Sequence, residues 1–178
     1  MSEIFNLFAT YNAEMNLRNF HAAQQLSNQE LVKDRGAFFG SIIGTLNHLI
    51  VADTLWLQRI AHHPAQFASL REMLDIPTPT TLNLMTYTEL SSWFERRTTL
   101  DQIIHRLALE IKEQHLEQVL HYKRMDGTPG SKRLRDILVQ FFNHQTHHRG
   151  QISTLLFQAG VDVGVTDILS FVPDVAEN

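Results

Sequence analysis

The sequence predicts an all-α protein built as a four-helix bundle. Three observations predict it. Four long segments carry apolar residues at helical spacing, helix breakers cluster between them, and 178 residues of globular composition suffice for a core. Apolar residues make up 43 % and charged residues 19 %, which separates the chain from disordered sequences. The length fits one domain over residues 1–178.

The first helix is expected over about residues 2–26, where Ile4, Phe5, Phe8, Tyr11, Met15 and Phe20 keep helical spacing. The second is expected over 38–61, ahead of Pro64. The third spans 88–114, with Trp93, Phe94, Leu100, Ile103, Ile104, Leu107 and Ile111. The fourth spans 131–160, with Ser131 in N-cap position and Gly160 just past the end.

Pro64, Pro77 and Pro79 break the segment between the second and third helices. That connection is long enough to cross one end of a bundle. An up-up-down-down order with a crossover is therefore the expected topology. Before the last helix, Asp126-Gly127 between 119–123 and the following residues signals a short two-stranded hairpin. After Gly160, the tail carries Val161, Ile168, Leu169, Phe171 and Val172, of which one or two should pack on the bundle.

Net charge is −4 with acids and bases interspersed, so bulk electrostatics does not suggest a nucleic-acid partner. No segment reaches the roughly 20 apolar residues of a membrane span, and residues 1–20 lack a signal peptide's pattern. A soluble, cytoplasmic protein is expected. There is no cysteine, so any sulfur chemistry needs a thiol from outside the chain.

Histidine stands out, with ten residues spread along the sequence. His144 and His148 are four apart and share a helix face, the spacing of helical metal-binding pairs. Leu134, Ile137, Leu138, Phe141, Ile152, Leu155, Leu156 and Ala159 mark the buried stripe of that helix. At about 100° per residue, His148 falls about 20° from the stripe's centre, His144 about 60° and His147 about 120°. His144 and His148 therefore point inward and His147 toward solvent. Two inward imidazoles need partners. These are either a metal or ordinary hydrogen bonds to each other, a carboxylate or a carbonyl.

The second helix offers His48, but periodicity does not place it inward. His48 lies nearly opposite the stripe of Phe38, Ile42, Leu46, Leu49, Trp56 and Ile60, beside Gly44, Thr45, Ala52 and Leu55. A helix so apolar or small around most of its circumference suits burial on two sides, by its own bundle and by a second subunit. His21, His62, His63, His105, His115 and His121 read as surface or helix-end residues.

The run His144-Gln-Thr-His-His148-Arg149-Gly150-Gln151 resembles the signature of the DinB/YfiT-like family. Leu46-Asn47-His48-Leu49 followed by Asp53 resembles that family's first histidine motif, and Tyr11-Asn12 with Asn16 its first helix. The Gly160-Val161-Asp162 tail resembles its C-terminal end. The resemblance runs from about residue 5 to about 172. It implies a four-helix bundle, a homodimer, and one divalent metal, zinc or nickel, held by His48, His144 and His148. Around such a metal, Asn47, Asp53, Arg149 and Gln151 are expected to hydrogen-bond the ligand histidines, with a helix-surface salt bridge as the alternative for Arg149, and Tyr11 and Asn12 either line the pocket or pack within the bundle. Glu14 departs from the pattern, standing where the family often has an aromatic residue.

Characterised members of that family include S-transferases and a maleylpyruvate isomerase that use low-molecular-weight thiols. The implied function is a metal-dependent transfer of such a thiol to an electrophile. Lys123, Arg124, Lys132, Arg133 and Arg135 read as a solvated hairpin and helix surface, or as basic residues that attract an anionic thiol. The alternatives are a metal-dependent hydrolase with Asp53 or Glu14 as base, and a non-catalytic metal- or ligand-binding stress protein.

Overall fold

The computed structural model describes residues 2–175, which are mostly helical with one two-stranded sheet. The helices are α1 (Ser2–Ala23), α2 (Asn28–Val32), α3 (Ile42–Ala61), α4 (Leu90–Glu110), α5 (Glu113–Leu116) and α6 (Leu134–Gln158). Two 3-10 turns, Ala68–Asp75 and Ile168–Phe171, complete the set. Strands β1 (Val119–Lys123) and β2 (Pro129–Arg133) pair antiparallel, with Tyr122 opposite Gly130.

The ends of the elements follow local chemistry. The Ser41 hydroxyl accepts from Gly44 N at 3.1 Å and caps α3, so the helix begins after Phe38, which is left 88 % exposed. Ser131 does not cap α6; it lies in β2, its hydroxyl 2.7 Å from His121 Nδ1. At the other end of α6, Gly160 takes φ +87°, Gly160 N donates to Phe157 O and Val161 N to Leu156 O. This closes the helix with the paired bonds of a Schellman turn and buries Val161.

Four long helices form the bundle. α1 packs on α4 and α6, and α3 packs on the same two, so α1 and α3 sit on opposite sides. Facing residues set their directions. Phe20 stacks on Phe94 while Asn12 meets Asp101, so α1 and α4 are antiparallel. Phe5 meets Phe142 and Asn12 meets Arg149, so α1 and α6 are parallel. Trp93 donates to Leu46 O and Arg97 pairs with Asp53, which makes α3 and α4 parallel. The order along the chain is therefore up-down-down-up, which corrects the expected up-up-down-down. The expected order needs two crossovers, and this chain has one. Residues 24–41 fold locally around α2 instead, with Arg35 bonded to Glu30.

That single crossover, residues 62–89, explains the all-round apolar character of α3. Leu70 and Met73 of its 3-10 turn are fully buried, and Gln58 Nε2 donates to Met73 O and Ile76 O. The face of α3 that its sequence offered to a second subunit is covered by the chain's own connection. No helix among the described residues is long and apolar enough to cross a membrane.

Candidate metal centre

His48 stands on α3, and His144 and His148 stand one turn apart on the antiparallel α6. Their three Nε2 atoms form a triangle with edges of 3.0 Å (His144–His148), 3.2 Å (His48–His148) and 3.3 Å (His48–His144). His48 and His148 are buried and His144 is half-buried, so the cluster opens on the His144 side. His147 is exposed, as the helical spacing required.

The partners of the other ring nitrogens make the triangle informative. His48 Nδ1 lies 2.9 Å from the carbonyl oxygen of Leu82. A carbonyl only accepts, so Nδ1 carries the proton and Nε2 presents a lone pair. His148 Nδ1 donates in the same way to Gln151 Oε1 at 2.8 Å. Two lone pairs thus face each other across 3.2 Å. A proton on His144 Nε2 can serve one of them and not both. A cation satisfies all three.

The electrostatics agree. Burial pushes the His144 imidazole down to about 3, with the neighbouring His148, His48 and His147 adding to the effect. Burial likewise brings His148 down to about 4, against the Gln151 hydrogen bond. His48 is lowered by burial too, opposed by its Leu82 bond and by Asp53. All three rings are neutral donors at physiological pH, the form that binds metals. Nitrogens about 2.0–2.1 Å from a cation in tetrahedral or octahedral array stand roughly 2.9–3.4 Å apart, which the observed edges match. The residues present therefore fit a divalent metal.

The model of the DinB family matches residues 1–175. The chain belongs to the DinB family. No curated protein sequence and no solved structure matches it. The family match and the three clustered histidines point the same way: this DinB protein has a site able to hold a metal ion.

The remaining positions singled out from sequence divide into two groups. Gln151 meets His148 directly. Asn47 reaches the cluster through backbone, because its amide donates to Ile43 O and Tyr87 O and accepts from Thr86 N and Tyr87 N. Those bonds pin the returning connection to α3, and this stretch carries the Leu82 carbonyl.

Tyr11, Asn12, Asp53 and Arg149 lie instead in a polar core linking all four long helices. Asp53 accepts from Arg97 at 2.6 Å and from Gln145 at 2.8 Å. Arg97 Nη2 also stands 3.0 Å from Asp101, which receives the amides of Asn12 and Asn16. Arg149 donates to Asn12 Oδ1 and lies over the Tyr11 ring, whose hydroxyl donates to Thr166 O at 2.6 Å. Burial brings the Arg149 guanidinium down to about 10, which leaves it cationic.

The two carboxylates read from sequence as possible bases are both engaged by arginines. Asp53 is 1 % exposed and held by Arg97, and Glu14 is engaged by Arg18 on α1 at 2.9 Å. Sequence reasoning missed Phe39. Its ring stacks on His48 at 3.8 Å between centroids and meets His148 edge-on at 5.6 Å. Gly44 makes room for this, since a Cβ there would come within 2.2 Å of Phe39 O. Neither Phe39 nor the Leu82 carbonyl had a sequence signal, because nothing in the local pattern marks a loop ring or a backbone acceptor.

Proposed function

We propose that this DinB protein is a metal-dependent transferase that adds a low-molecular-weight thiol to an electrophile. The observation that carries the proposal is the triangle of Nε2 lone pairs, two of them fixed by protons donated from Nδ1. Three protein ligands leave open positions, as in catalytic rather than structural sites. Zinc or nickel suits a donor set of neutral imidazoles. A divalent cation held there lowers the pKa of a thiol or water that binds it.

The chain's residues then do three things. His48, His144 and His148 stay unprotonated, so they compete for no proton released by the thiol. Phe39 and the exposed Phe38 supply an apolar wall beside the cluster for the electrophile. The connection clamped by Asn47 holds His48 in one orientation. In the overall reaction the thiol sulfur bonds to the electrophilic carbon, the leaving group departs with its electron pair, and the thiol proton passes to solvent. The absence of cysteine fits a nucleophile supplied from outside. A cytoplasmic setting, where such thiols stay reduced, fits as well. A homodimer belongs to this reading on the family resemblance.

A hydrolase has less support, because no free carboxylate stands by the cluster among the described residues. The test is a panel of thiols and electrophiles offered to metal-loaded protein, with thioether products read by mass spectrometry. Products formed by wild type and lost in His144→Ala support the transferase. Hydrolysis products without thioethers, or no product across the panel, refute it.

A further inference from the structure

A cavity of about 800 Å³ lies between the C-terminal half of α3, the β-hairpin and residues 78–80 of the connection. None of the three clustered histidines lines it. Leu55, its member nearest His48 in sequence, is seven residues on, about 10 Å along the helix.

Its chemistry is one-sided. Arg59, Lys123 and Arg124 line it with His62 and His121, and no aspartate or glutamate does. Arg59 is half-buried, with its guanidinium carbon 4.8 Å from the Trp56 ring and 5.4 Å from that of Tyr122. Among the described residues, no carboxylate pairs with Arg59 or Lys123. Arg124 donates to Thr128 and to Pro129 O. Asp126 lies near Arg124, but its carboxylate accepts from Thr128. Burial pushes the Arg59 guanidinium down from its ordinary pKa, the mark of a cation losing water without gaining an anion.

The apolar side is also built. The Tyr122 ring lies flat over Gly130, where a Cβ would come within 2.6 Å of it. Leu55, Pro79 and Met125 supply further apolar wall. Flat guanidinium recognition suits a carboxylate, phosphate or sulfonate head, and the wall suits an aromatic-sized body.

We propose that this groove binds an organic anion with an apolar body, its head at Arg59, Lys123 and Arg124 and its body against Tyr122, Leu55 and Met125. The site is separate from the histidine cluster and does not depend on metal.

The test is fluorescence titration of the full chain with 8-anilinonaphthalene-1-sulfonate, beside its neutral relative N-phenyl-1-naphthylamine. Saturable one-site binding is expected, weakened about tenfold or more by Arg59→Gln and by Lys123→Glu, with the neutral probe weaker by a similar factor. His144→Ala and metal removal should leave the affinity unchanged, so loss of the metal reading would not remove this one. Lys123 is exposed, so its variant tests the site even if Arg59→Gln does not fold. Failure to saturate at millimolar probe, wild-type affinity in both variants, or an affinity for the neutral probe equal to that for the anionic one overturns the proposal.

Discussion

His48 Nδ1 donates to the carbonyl oxygen of Leu82 across 2.9 Å and 34 residues of chain. This bond ties a buried helix residue to the crossover that returns over it. It fixes which ring nitrogen faces His144 and His148, so the crossover takes part in the site as well as joining two helices.

Asn47 should control that bond. Three hydrogen bonds of its amide hold Thr86 and Tyr87 against α3, and a fourth, to Ile43 O, anchors the amide on the helix. Asn47→Ala is expected to weaken metal binding by roughly 10- to 100-fold, in the range of lost outer-shell partners, while the three histidines remain. Competition against a chromophoric chelator reads the change. Wild-type affinity in the variant would show that the connection does not orient His48.

Arg97 is 1 % exposed and stands between Asp53 and Asp101. Arg97→Met would leave two buried carboxylates without their cation. A loss of roughly 3–5 kcal/mol of stability is expected, measured by urea denaturation. Replacing Glu14, which pairs with Arg18 on a half-exposed face, should change stability by less than about 1 kcal/mol. Similar losses in both would contradict the role given to the polar core.

The buried histidines make the metal-free protein acid-sensitive. Their folded pKa values, about 3 for His144 and about 4 for His148, lie below the ordinary value of 6.5. Between these limits the unfolded chain binds more protons than the folded one. The stability from these groups is full above about pH 6.5 and is lost as pH falls toward 4 and 3. Urea midpoints of metal-free protein from pH 7.5 to 4 should fall, and fall less in the double variant His144→Leu, His148→Leu. Equal slopes would mean that these rings are not buried neutral.

How much of this was legible in the sequence depended on burial geometry. The α6 pair was legible because that helix has one dry face, and a stripe on it fixes where each residue points. His48 was not, because α3 is buried all round and periodicity assumes one wet side. The residues covering its other face come from the crossover, whose path no local pattern encodes. Only the family resemblance brought His48 to His144 and His148. Asp53 misled for a related reason. It lies five residues beyond His48, but it turns into the polar core, where Arg97, a residue the helical pattern did not single out, receives it. The hairpin and the Gly160 helix end were readable because Asp-Gly and Gly carry their conformations with them. The direction of each helix was not, because it depends on how residues 24–41 fold back.

His48, His144 and His148 together should hold one metal. Elemental analysis of tag-free protein tests it most directly, with wild type beside His48→Ala, His144→Ala, His148→Ala and His147→Ala. Near one equivalent of metal in wild type and in His147→Ala, lost in the other three, is the predicted result. No metal in wild type after reconstitution, or metal kept when any of the three is removed, would contradict it.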